Sequence, residues 1–167
     1  MKASLLRVEA GAFAGLLAGM AVAAFFLVQG VIHLQPFAVP VDLASSLLGW
    51  SRGGGSSGSV GSLAMLGLGV IVYTGLHLAT FAAIGVGAAF LLDGKYFWPS
   101  LVGGAIYGSI ACTGLLYATR WMVDAPVALD VLGLGRVLQA NALAGGIIGT
   151  VLYLTFMRGT SSAGENS

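Results

Sequence analysis

The chain has 167 residues, 57% of them hydrophobic and 8% charged, with seven basic and six acidic side chains and a net charge of +1. Soluble domains average about 45–50% apolar and about 25% charged residues. This composition therefore cannot build a water-facing surface, and a mean hydropathy of +0.96 points to lipid as the solvent. The near-zero net charge offers no field to hold nucleic acid. The single cysteine, Cys112, excludes an intrachain disulfide or a cysteine metal cluster and reads as a small packing residue.

The first charge-free run covers residues 10–34. A spanning helix needs about 20 apolar residues at about 1.5 Å each, and we place it at residues 8–33. Lys2 and Arg7 precede it as in a signal peptide, but the apolar region exceeds the usual ~7–15 residues, so the helix is read as retained. Gly11, Gly15 and Gly19 form two overlapping GxxxG spacings on one face, and Gln29 and His33 lie near the far end.

Residues 40–50 follow, opening at Pro40, carrying Asp42 and running through leucines to Gly49 and Trp50. A short amphipathic helix along the membrane interface would explain that pattern. The Gly/Ser-rich residues 53–59 are a flexible linker by composition. The second charge-free run, residues 53–92, is longer than one span needs, so its helix is placed at residues 62–92. Gly75, Ala79, Ala83 and Gly87 repeat there at a four-residue step. His77 lies near the middle, with Tyr73 and Phe81 one turn away on either side.

The third run, residues 96–119, predicts a helix over residues 99–118 carrying Gly104, Gly108 and Cys112 on one stripe. The connection at residues 126–135 resembles the earlier one: it opens at Pro126, carries Asp130 and reaches Gly135 through leucines. The fourth run, residues 137–157, predicts a helix over residues 136–157 with Asn141, Gly145 and Gly149 in line. Residues 159–167 read as a flexible polar tail. Trp50, Trp98 and Trp121 sit near span ends, where amphipathic rings prefer the headgroup level.

These elements define an all-α integral membrane protein: one domain over residues 1–158, a bundle of four transmembrane helices with two short interfacial segments. A closed barrel would alternate apolar and polar residues, and these runs do not. The likeness of the two halves admits a two-fold internal repeat. It would be parallel, unlike the inverted repeats of transporters, because each half begins on the same side. An even number of spans sets Lys2, Arg7, Lys95 and Arg158 against Arg52, Arg120 and Arg136. The positive-inside rule then favours cytoplasmic termini, in a membrane of the bacterial inner-membrane kind.

Helices in lipid associate where small residues let backbones approach. Gly11, Gly15, Gly19, Gly75, Gly104, Gly108, Asn141, Gly145 and Gly149 are therefore expected to pack the bundle or to dock a partner, either another membrane subunit or a second copy. Ionisable groups inside a membrane are functional candidates because they are costly to bury. His77 and His33 are accordingly the candidate cofactor ligands, through imidazole nitrogen to a b-type haem. His77 would lie about 18 Å along a helix starting near Met65, with His33 close to the same face, so the two make a poor axial pair. A neutral His77 bonded to a hydroxyl or a carbonyl across a helix seam is the simpler reading.

No Asp or Glu lies inside a predicted span and no proline interrupts a span centre, which counts against proton-coupled transport. A nucleophile at Ser109 with His77 as base lacks the glycine expected beyond the serine, and no catalytic residue is assigned. Arg120 and Asp124, one turn apart, would form an interfacial ion pair of small worth. The expected function is a non-catalytic accessory or scaffold subunit of a larger membrane complex, with no cofactor and no metal. The alternatives are a haem- or pigment-bearing redox component using His77 or His33, and a small oligomeric channel or carrier.

Overall fold

The computed structural model describes residues 2–32, 34, 60–92, 94–122 and 133–161. Four helices account for nearly all of them: α1 Lys2–Ile32, α2 Val60–Leu91, α3 Phe97–Met122 and α4 Leu134–Ser161. There is no strand among the described residues. Each helix is long and apolar enough to cross a bilayer, and the chain is a four-helix membrane bundle. Inside hydrocarbon every peptide group must be bonded within its own segment, which is what selects helices for these runs.

The helices extend beyond the predicted spans, most at the start of α1 and the ends of α3 and α4. The apolar run measures the hydrocarbon, whereas a helix stops only where a breaker or a turn residue stops it. Residues 2–7, with Lys2, Ala3, Leu5, Leu6 and Arg7, are mostly good helix formers, so α1 continues into the headgroup layer. The interfacial segment at residues 40–50 and most of that at 126–135 lie outside the described residues, and Leu134 already begins α4.

Packing is inverted relative to a soluble domain. Alanines and glycines fill the interior: Ala10, Ala14, Ala18 and Val22 of α1 are buried together with Ala140, Ala144, Ile148 and Leu152 of α4. Ile71 and Ile110 are 70% and 69% exposed on the outer surface. Large apolar side chains gain nothing from burial when lipid surrounds them, while small ones let backbones meet and dispersion contacts accumulate.

Two antiparallel hairpins make up the bundle, and their crossings share one design. Gly11 and Gly15 of α1 straddle Gly85 of α2, and Gly104 and Gly108 of α3 straddle Gly145 of α4. The second glycine of each first helix faces the carbonyl four residues before the central glycine, Phe81 in one hairpin and Asn141 in the other. The first glycine faces the residue four beyond it, Ala89 or Gly149. The two crossings are thus alike at these glycine positions.

The hairpins join through α1 and α4, whose buried faces form the centre of the core. By comparison α2 and α3 touch sparingly. They meet near the end that carries the short α2–α3 connection, where the Tyr107 hydroxyl donates to the Ile84 carbonyl at 3.1 Å. Toward the opposite end no described residue within 4 Å would meet a β-carbon at Gly67 or Gly75 of α2 or Gly114 of α3.

Candidate functional site

The polar groups inside the spans are few, and the fold bonds some of them within their own helix and uses others to tie helices. Thr74, Ser109 and Thr155 each donate a hydroxyl to the carbonyl four residues back, Val70, Ala105 and Val151, at 2.7–2.8 Å. Such bonds satisfy a hydroxyl inside its own helix and leave it with no further duty. Ser109 is therefore occupied with its own backbone rather than with His77.

His77 is the ionisable side chain at the middle of α2. It is half-buried, between Tyr73, which stacks at 5.8 Å and 29°, and Phe81, tilted at 4.7 Å and 52°. Its Nε2 lies 3.2 Å from the carbonyl oxygen of Gly19 in α1. A carbonyl only accepts, so Nε2 carries the proton and donates. Gly19 sits tightly against α2: a β-carbon there would lie 3.1 Å from Phe81 Cβ and 3.2 Å from a Leu78 methyl. His77 thus acts as a cross-seam tie, as the simpler reading of the sequence expected.

Haem ligation by Nε2 would require this bond to break and the ring to swing from between its aromatic neighbours. Ile32, the last residue of α1, lies about 20 Å beyond the level of Gly19. His33, the other candidate ligand, lies outside the described residues, as do Asp124 and Asp130. Among the described residues no three His, Cys, Asp or Glu side chains gather where they could hold a metal ion.

The second tie joins α4 to α3. Asn141 is 5% exposed and donates from Nδ2 to the Thr113 hydroxyl oxygen at 3.1 Å. It stands one turn before Gly145, so the amide bond and the close crossing reinforce one another. Cys112, beside Thr113, is buried and free, as a small packing residue.

Of the small residues singled out from the sequence, Gly11, Gly15 and Gly19 face α2, and Gly104 and Gly108 face Gly145, Gly149 and Asn141. Gly75 is different. No described residue lies within 4 Å of a β-carbon built there, and Ala79 and Ala83 on the same stripe are exposed. Only the stripe's far end is used, where a β-carbon at Gly87 would lie 2.5 Å from the Tyr107 hydroxyl. The α2 residue that meets α1 is Gly85, which the four-residue stripe from Gly75 passes by. Between Gly75 and Ala89 small residues occur on nearly every face, so spacing alone does not select a register.

Tyr107 was also not legible as a site residue, since a tyrosine in a span has no motif to mark it. No family model, curated protein or solved structure matches the chain.

Proposed function

We propose that the protein is a non-catalytic accessory or scaffold subunit of a larger membrane complex, docking through the α2 side of its bundle. The observation that carries this reading is the outward face of α2. There Gly75, Ala79 and Ala83 are exposed, while the corresponding glycine faces of α1, α3 and α4 are occupied within the chain. The interior polar groups support the same reading, because His77, Asn141 and Tyr107 tie helices together and Ser109 bonds within its own helix. The membrane is of the bacterial inner-membrane kind, with both termini in the cytoplasm.

The test is mass spectrometry of everything that co-purifies with the tagged chain from its native membranes in mild detergent. The expected result is a fixed set of larger membrane proteins in constant proportion. Recovery of the chain alone, or only with copies of itself, overturns the proposal. A visible absorption spectrum of the same preparation checks the haem alternative: a Soret band abolished by His77→Ala would replace the scaffold reading with a redox one.

A further inference from the structure

The end of the bundle that gathers the start of α1, the α2–α3 connection and the end of α4 holds an arrangement separate from the ties inside the spans. Its floor is one turn of α4, from Tyr153 to Phe156. Phe97, in the first turn of α3, packs edge-on against Tyr153 with centroids 5.5 Å apart. Gly94 lies over Phe156: its φ of +64° suits glycine, and a β-carbon there would run into the ring. From the α1 side, the Arg7 guanidinium carbon sits 5.8 Å from the centroid of that same ring. One aromatic turn thus brings α1, the connection and the start of α3 together.

Three positive features flank it. Arg7 is the first, its exposed planar group steadied over a ring so that its donor fork keeps a defined orientation. Lys95, next to Gly94 and also exposed, is the second. The third is the N-terminus of α3. It has no acidic residue in its first turn, its Phe97 and Trp98 amides precede any intrahelical acceptor, and its dipole end is positive. Among the described residues the acid nearest in sequence to Arg7 is Glu9, exposed two residues along α1 and on its opposite flank; Asp93, beside Gly94, lies outside the described residues. Tyr96 and Trp98, 71% and 69% exposed, set the depth of the cluster, since such rings settle at the headgroup level.

We propose that Arg7, Lys95 and the first turn of α3 bind the phosphate of an anionic phospholipid headgroup, seated beside Phe156. The charge-assisted bonds that a guanidinium, an ammonium and free amides make to phosphate oxygens account for the chemistry. Free inorganic phosphate shares that chemistry but lacks the acyl chains that would lie along the exposed apolar surfaces below.

The experiment is native mass spectrometry of the full chain in neutral detergent, titrated with phosphatidylglycerol and with phosphatidylcholine of matched chains. Phosphatidylglycerol is expected to be retained preferentially, with the preference falling about fivefold for each basic residue removed in Arg7→Gln and Lys95→Gln. Arg7→Lys, which keeps the charge but loses the flat stack, should fall between. Arg136→Gln, at the opposite end of the bundle, should leave the preference unchanged. Equal retention of the two lipids, or a preference that survives the double substitution, overturns the proposal. Displacement of phosphatidylglycerol by inorganic phosphate would overturn the lipid assignment in favour of a free-anion site. Both substituted side chains are exposed, and circular dichroism of each variant confirms that the helices remain.

Discussion

At Gly15 of α1 a β-carbon would run into the Phe81 carbonyl oxygen and come within 2.9 Å of Ala82 Cα, both backbone atoms of α2 that cannot rotate aside. Gly145 of α4 is similar, with Gly104 and Gly108 backbone on either side. Gly15→Ala and Gly145→Ala are therefore expected to force their hairpins apart and destabilise the bundle by about 1–3 kcal/mol, the usual range for overpacking. Gly75→Ala should change stability by no more than about 0.5 kcal/mol, as at an unencumbered surface. Reversible unfolding of detergent-solubilised variants by sodium dodecyl sulfate measures the difference, and equal losses at Gly15 and Gly75 would contradict the seam geometry. The His77 tie adds comparatively little. Hydrogen bonds between membrane helices average about 0.6 kcal/mol, because the separated helices find other partners, so the crossing glycines outweigh it.

Among the elements, α2 is the one whose expected face was wrong within the chain. Its stripe from Gly75 to Gly87 reads like the stripes of the other helices, yet α1 packs on the face marked by Phe81, Gly85 and Ala89. On α1, α3 and α4 glycines are sparse enough that their spacing names one face. On α2 they are crowded among alanines, and only the partner's shape chooses. The exposed part of that stripe, Gly75 to Ala83, gives a test at the level of the element. Ala79→Phe adds a large side chain to an exposed face, so the bundle should lose no more than about 0.5 kcal/mol. The same substitution should release the proteins that co-purify with the chain. Retention of the full complex by Ala79→Phe would show that α2 does not dock them.

For the whole molecule, the shared crossing design of the two hairpins implies that α1 against α4 and α2 against α3 would be equivalent edges under a strict two-fold relation. They are not: the first is the centre of the core, and the second closes only around Tyr107. The departure from symmetry is what leaves a side of the bundle free. The even number of helices puts the start of α1 and the end of α4 at the end with Arg7 and Lys95, and so carries a topology prediction. A reporter enzyme active only outside the cytoplasm should be silent when fused at either terminus and active when inserted near residue 55. The reverse pattern would invert the proposed orientation, a result to be read from the charge count alone, since it leaves the fold untouched.

The sequence by itself determined the membrane class and the number of spans, and it marked a small-residue face on each helix. Each follows from constraints that act locally. Too few charges exclude a water-facing surface, twenty apolar residues match the hydrocarbon, and glycines four apart share a face. The tertiary structure alone decided which face of α2 is used, that the Gly19 carbonyl receives His77, that Tyr107 holds α2 to α3, and that Arg7 rests on Phe156. Those contacts join residues distant in the chain, or choose among several equally small faces. Nothing periodic encodes such choices; they emerge only when rigid helices settle at the closest approach their side chains allow.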